Sequence, residues 1–246
     1  MPVTGGRIVL TEDQQEIDTK FLGFTVSPHE ECAAEEAVRL VEAHGGSSAV
    51  LTLGPPEAEE QLRDAMAIGI DRGLHLRTGG EDWDGRATAA AILDVVRAQE
   101  AAGDPFDLIL FGNESADAGG YQVGIRVARA LGRPIVTGVK QIEVAGDRVE
   151  ARREAGGGWE VFDVPLPAVL AVKEGINLPR YPSMPGRLKA KKKPVDAIEP
   201  TARENDLRKS RMRLPQGRDK KVEILGEGVD AVPAAVDVLR KIGVVG

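Results

Sequence analysis

Between Ser27 and Val172, short apolar runs alternate with longer stretches of helical periodicity, and this alternation most constrains the fold. The short runs suit strands and the periodic stretches suit helices, so the segment reads as βα units on a parallel sheet. Ser27-Pro28 starts a helix that continues through Leu40 and stops at Gly45-Gly46, with Ala33, Ala37, Leu40 and Val41 on one narrow apolar face. Ala49 to Leu53 reads as a strand. Glu57 to Gly69 reads as a helix whose acidic first turn suits its dipole. A short strand at Leu74 to Arg77 and a helix at Ala87 to Glu100 follow. Asp107 to Gly112 is the clearest buried strand, and a glycine-bearing loop leads from it into a helix through Val123, Ile125, Ala128 and Leu131.

After Gly132 the rhythm changes. Ile135 to Val144, Arg148 to Arg153, Trp159 to Val164 and Ala168 to Val172 are separated by turn signals such as Ala145-Gly146-Asp147 and Gly156-Gly157-Gly158, which predicts hairpins added to the edge of the parallel core. Glu174 to Pro200, with five prolines and a lysine cluster, reads as loop or arm with one short helix. Asp230 to Ile242 reads as a closing amphipathic helix. The expected fold class is therefore α/β, a Rossmann-like parallel sheet with helices on both faces, added hairpins and an extended C-terminal arm.

Composition narrows the function classes. The 246 residues are 42% hydrophobic and 29% charged, enough to bury a core without metals or disulfides. Aromatics are only 4%, so Val, Leu, Ile and Ala must build that core. The one cysteine, Cys32, excludes a disulfide framework and a thiolate zinc cluster. No apolar run approaches the roughly 20 residues of a membrane span, and Met1 to Gly6 has no signal-peptide character. The expectation is a cytoplasmic protein with no direct membrane insertion.

Charge is unevenly spread over a net −7. Gly186 to Lys221 holds 13 Lys and Arg against 5 Asp and Glu, leaving 19 against 34 elsewhere. Such a basic arm reads as an interaction segment. It has no interleaved aromatics and belongs to an acidic chain, so a protein partner is expected and no nucleic acid.

Chemistry concentrates in Gly112 to Gly124, at the carboxyl end of a strand and the start of a helix, where open α/β sheets place ligands. Gly119 and Gly120 would let backbone amides approach a ligand, and free amides at a helix start favour an anion such as phosphate. The loop has neither the Gly-Lys-Ser of a Walker loop nor a Gly-x-Gly-x-x-Gly pattern, and glycines serving only turn geometry remain an equal alternative. His29 lies at a helix start within reach of a ligand, whereas His44 and His75 read as structural. Cys32 reads as a small core residue. Neither a Ser-His-Asp order nor metal-ligand spacing is present, so no catalytic residue and no metal site are expected, and the chain reads as a binder.

Several segments together resemble the β subunit of electron transfer flavoprotein. Asn177-Leu178-Pro179-Arg180-Tyr181-Pro182-Ser183-Met184-Pro185, followed by Lys189-Ala190-Lys191-Lys192-Lys193, is similar to that family's Asn-x-Pro-Arg-Tyr, Leu-Pro and Lys-Ala-Lys-Lys-Lys signature. Leu166-Pro167-Ala168-Val169 is a second marker. Ser27-Pro28 through Leu40, Ala65 through Gly73, and Asp117 through Gly124 resemble the family's Asn-Pro-Phe helix start, its Asp-Arg segment and its nucleotide loop. The resemblance runs from Ile8 to Gly246. It implies a heterodimer in which an α subunit holds the redox-active FAD and the β subunit buries an AMP of structural role. Electrons would arrive from acyl-CoA dehydrogenases, as in fatty acid β-oxidation, and leave to a quinone oxidoreductase.

Residue matching would place cofactor contacts on Ser27, Pro28, His29, Glu30, Leu53, Asp117, Gly119, Gly120, Tyr121, Gln122, Val123, Gly124 and Ala128. Partner recognition would fall on Asn177, Pro179, Arg180, Tyr181, Met184 and Pro185, with Met184 at the family's apolar anchor, usually Leu. The resemblance divides the chain into an adenine-nucleotide-binding unit over 1–190, containing a recognition loop at 174–190, and an arm with a helix over 191–246 that packs on the α subunit. The sequence departs from the family in three places. Met1 begins beyond the family's opening apolar strand, so that strand, one edge of the nucleotide pocket, is expected to be missing. Ala118, Gly119, Gly120 and Tyr121 stand where further acidic residues are common, and Ser27 stands where Asn is usual. A bifurcating form with a second FAD in place of AMP and a stand-alone adenine-nucleotide sensor are the alternatives.

Overall fold

The computed structural model describes residues 2–3, 8–214 and 223–245. The last part of the basic stretch read between Gly186 and Lys221 therefore lies outside the described residues.

The chain folds as an α/β structure whose strands form two sheets. α1 (Pro28–His44) leads into β1 (Ala49–Gly54), and a 3-10 turn at Pro56–Ala58 precedes α2 (Glu59–Ala67). β2 (Arg72–Arg77), α3 (Gly85–Ala101), β3 (Leu108–Gly112) and α4 (Val123–Leu131) complete the alternating half. Then come β4 (Ile135–Ala145), β5 (Arg148–Ala155), β6 (Gly158–Pro165) and β7 (Ala168–Val172), followed by α5 (Met184–Ala190), β8 (Val195–Ile198) and α6 (Val232–Lys241).

The smaller sheet has order β1-β2-β8 and is all parallel. The larger has order β3-β7-β4-β5-β6. The expected hairpins exist as the antiparallel run β4-β5-β6 at one edge. The fourth expected hairpin strand behaves differently: β7 returns to the middle of the parallel portion, between β3 and β4, and all five of its residues are buried. Its sequence Ala-Val-Leu-Ala-Val is apolar at every position, as a strand covered on both faces requires. β3 is equally apolar, yet its five residues are only half-buried, because β3 forms the edge of its sheet.

Helices cover both faces. Cys32 and Ala33 of α1 pack with Ala168, Leu170 and Val172 of β7 and with Val139, Val149 and Ala151. On the other side, Ile92, Val95 and Val96 of α3 and Val127 of α4 bury Leu74 and Leu76, joined by Leu51, Leu53, Ile109 and Phe111. That cluster spans both sheets. A Cβ on Gly124 would come 3.0 Å from the Phe111 ring, so this glycine lets α4 lie close against β3. β8, inside the segment expected to be loop, extends the small sheet through four residues paired to β2. Just before it, Lys193 Nζ donates to the carbonyls of Met66, Gly69 and Ile70, closing the C-terminal end of α2.

Candidate functional site

The start of α1, the end of β3 and the loop before α4 converge. Pro28 fixes the backbone for the first turn of α1, and Ser27 precedes it in an extended conformation. That turn carries His29 and Glu30 to the end of β3. The Glu30 carboxyl lies so close over Gly112 that a Cβ there would sit 2.5 Å from it, so any side chain at this position would displace the carboxyl. Glu30 is desolvated, and burial pushes its carboxyl above the usual range, with a smaller contribution in the same direction from Asp117.

His29 joins three segments. Its Nδ1 accepts from the Glu174 amide at 2.9 Å, so the proton sits on Nε2, which faces Glu114 Oε1 at 3.2 Å. One imidazole thus ties α1 to the 113–122 loop and to the segment leaving β7.

Two buried polar atoms here have no hydrogen-bond partner: Ser27 Oγ and Glu30 Oε2. Buried polar groups are ordinarily paired, and these two fall at the start of α1; His75 Nδ1 and Asn177 Oδ1 are the other such atoms among the described residues.

Inside the loop, Gly119 N donates to Ser115 O, Gly120 N donates to Ser115 Oγ, and Ser115 N donates to Gly120 O. Gly119 adopts a positive φ of 61°, which the turn requires. The amides expected to hold a phosphate are therefore consumed within the loop. The open donors lie one turn later, because α4 begins at Val123 with no side-chain cap from Gln122. Gln122 Oε1 instead accepts from Arg126. Among the other expected contacts, Tyr121 is exposed, Asp117 is exposed near Glu30, and Leu53 lies at the end of β1 in the other sheet. Ala128 is fully buried in the α4 core, away from the loop surface.

The second constellation is the segment after β7. Asn177 Nδ2 donates to Cys32 O and to Glu36 Oε2. Arg180 grips Glu35 and Glu42, and its backbone amide also donates to Glu35 Oε2. These two side chains face inward and hold the loop on α1. The residues turned outward are Tyr181 at 92% exposure, Met184 at 74% and Leu178 at 85%. Leu178 was not singled out in the sequence, although an aliphatic residue between Asn177 and Pro179 in a polar loop was a readable signal. Met184 opens α5, which Ser183 caps by accepting from Gly186 N, and Pro185 sits exposed in the first turn. Pro179 is half-buried under the Arg180 clamp.

Among the described residues no cluster of His, Cys, Asp and Glu could hold a metal ion, and no helix is long and apolar enough to cross a membrane. His75 is fully buried on β2, its Nε2 facing Gly54 O, in line with a structural reading.

Comparison with known proteins places the chain in a family. Residues 18–203 match the electron transfer flavoprotein domain. The chain is 38% identical over 176 residues to the electron transfer flavoprotein subunit beta of Bacillus subtilis, covering 71% of this chain and 66% of that protein. Against the Syntrophomonas wolfei subunit beta it is 34% identical over 209 residues, covering 84% and 80%. Against the human subunit beta it is 31% identical over 240 residues, covering 96% of this chain and 92% of that one. With the markers at Asn177–Lys193 and the α/β framework that displays them, the chain belongs to the electron transfer flavoprotein family, among its β subunits.

Proposed function

We propose that this chain is the nucleotide-binding and dehydrogenase-docking half of a heterodimeric electron carrier in the cytoplasm. Its α subunit would hold the FAD that accepts electrons from acyl-CoA and related dehydrogenases and passes them to a quinone oxidoreductase. This chain would bury one AMP with no redox role and present the docking loop.

The observation that carries the nucleotide reading is the pair of orphaned buried atoms, Ser27 Oγ and Glu30 Oε2, over the end of β3. A buried hydroxyl and a buried carboxyl at the start of one helix would suit the ribose and base edge of an adenosine, which offer both donors and acceptors. The uncapped first turn of α4, with the amides of Val123 and Gly124, suits the 5′-phosphate. Ser27, Glu30, Gln122, Val123 and Gly124 would hold the nucleotide, and His29 would keep the two sides of the site together. The residues present fit the group.

The docking reading rests on the exposed trio Leu178, Tyr181 and Met184 on a loop that Arg180 and Asn177 fix in place. A rigid loop loses little entropy on binding, so apolar side chains at its tip convert efficiently into affinity. The C-terminal arm and α6, with exposed Val232, Val238 and Leu239, would lie against the α subunit.

The test is acid extraction of the purified complex with separate quantification of AMP and FAD. One AMP and one FAD per heterodimer supports this reading. Two FAD and no AMP assigns the site to a second flavin, and a lone chain carrying nucleotide without an α subunit makes it a sensor.

A further inference from the structure

A cavity of about 310 Å³ opens beside β4, lined by Asn113, Tyr121, Ile125, Thr137, Gly138, Lys140, Arg153, Glu154 and Lys173. Of the expected cofactor contacts Tyr121 lines it, whereas Ser27, His29, Glu30 and Leu53 take no part in it. We propose that this cavity is a separate anion site for a small phosphate-bearing molecule, gripped by Lys173, Lys140 and Arg153.

The backbone is shaped for it. β4 slips register between Val136 and Val139 against β7, and again between Val139 and Gln141 against β5. Gly138 sits in the bulge at φ 71°, and its amide donates to Asn113 Oδ1 at 2.7 Å. Bulges of this kind re-aim side chains at sheet edges and sites. Here the bulge brings Lys140 of β4, Arg153 of β5 and Lys173, just past β7, around one hollow.

Three cations and one carboxylate, Glu154, leave this wall with a net excess of positive charge. Arg153 is partly answered by Glu160 Oε2 at 2.5 Å, and Lys140 Nζ donates to Glu174 O at 2.6 Å. Lys173 is exposed and has no side-chain partner among the described residues. The neutral lining is also rich in donors. Asn113 accepts from the Gly138 amide through Oδ1 and its Nδ2 has no partner among the described residues, and Thr137 and Tyr121 add hydroxyls. Like charges gathered in one concavity attract a multivalent anion, and charge-assisted bonds to phosphate are among the stronger polar contacts. Tyr121 and Ile125, both about half exposed, provide a face for a planar or apolar part of the same molecule. The volume lies at the low end of the range for small-ligand sites.

The probe is sodium pyrophosphate, titrated calorimetrically into the protein as purified with the subunits it retains. Saturable binding is expected, weakened about tenfold by Lys173→Glu and strongly reduced by raising salt. Lys140→Gln should weaken it independently, and melting temperature should stay at the parent value for the exposed Lys173 variant. Pyrophosphate that fails to bind, or binds parent and both variants equally, overturns the assignment. So does a variant that only loses subunit assembly, because the cations would then be meeting a protein carboxylate. AMP content measured in the Lys173→Glu sample separates this inference from the nucleotide reading, since the Lys173 side chain bonds none of the segments that hold His29, whereas Lys140 donates to Glu174, whose amide His29 accepts.

Discussion

Arg180 and Glu35 tie the loop after β7 to the body of the protein. The Glu35 side chain is 1% exposed and receives Arg180 through Nε, Nη2 and the backbone amide, with Arg39 as a further donor. Burial alone would push the Glu35 carboxyl up, but the Arg180 and Arg39 hydrogen bonds outweigh it and hold the carboxyl below its ordinary value. Arg180→Ala leaves that carboxylate buried with Arg39 alone. A stability loss of about 1–3 kcal/mol is expected, read from the denaturant midpoint. Limited proteolysis should also find a new cleavage near Tyr181. Because the folded carboxyl titrates lower than the unfolded one, this contribution is complete above about pH 4.5 and fades as pH falls through the folded value. An Arg180→Ala protein with parent stability and no new cleavage would show that the loop is held elsewhere.

Asp84 works in the same way on the arm. Its Oδ1 accepts from the amides of Arg86 and Ala87 and caps α3, while Oδ2 accepts from the amides of Asp206 and Leu207. Those bonds, the Ala87 amide first, hold its carboxyl down at about 2. Asp84→Ala is expected to cost about 1 kcal/mol of cap energy and to release residues 203–209. Hydrogen exchange would report the release at Asp206 and Leu207. The depressed acid makes this tie complete above about pH 4 and progressively lost towards pH 2. Unchanged exchange at both amides would mean that Arg203–Asp94 and Arg86–Asp206 suffice to hold the arm.

How much of this was legible beforehand depends on the distance over which each cause acts. The helices α1, α3 and α4 and the strand β3 follow from periodicity and local caps, so they appear in the sequence within a few residues of their observed ends. β8 did not, because Val195–Ile198 is four residues long, half-buried and framed by lysines and prolines. Its strand state comes from pairing with β2. The division into two sheets and the central place of β7 are likewise matters of partner choice, which periodicity does not report. The Gly112–Gly124 loop was readable from strand-end and glycine placement, whereas Ser27–Glu30 followed from the family resemblance, with only His29 marked by its place at a helix start. The direction of each side chain was not: Asn177 and Arg180 resemble contact residues until the carboxylates of α1 are seen to claim them.

Met184 projects from the cap of α5 and is 74% exposed, so truncating it removes almost no buried surface from this chain. Met184→Ala should keep the parent melting temperature and FAD content. If the side chain enters a pocket on an acyl-CoA dehydrogenase, flavin reduction by that enzyme should weaken by about 1–3 kcal/mol in apparent affinity. Leu178→Ala should act in the same direction. Stopped-flow reduction across dehydrogenase concentrations is the measurement, and parent rates for both variants would move recognition away from this loop.

Glu30 offers a sharp test of the proposed nucleotide site, because protonation and the proposed ligand would compete for the same carboxyl. Burial raises its carboxyl above the ordinary value, so in nucleotide-free protein the ionised form is a burden that grows as pH rises through the folded value. Glu30→Gln removes that burden while keeping the volume over Gly112. The nucleotide-free variant should therefore be more stable than the parent at pH 7, by about 1 kcal/mol, and equal to it below about pH 4.5. Bound AMP should reverse the order at neutral pH, because a carboxylate accepting from the ligand is worth more than an amide in the same place. Thermal melts of parent and variant at pH 4.5 and 7, each with and without added AMP, give the four comparisons needed. A variant that gains as much stability at pH 7 with AMP as without it would show that Glu30 meets no nucleotide. Gly112→Ala makes the complementary check: a methyl there displaces the Glu30 carboxyl and should lower AMP content while leaving the docking loop intact.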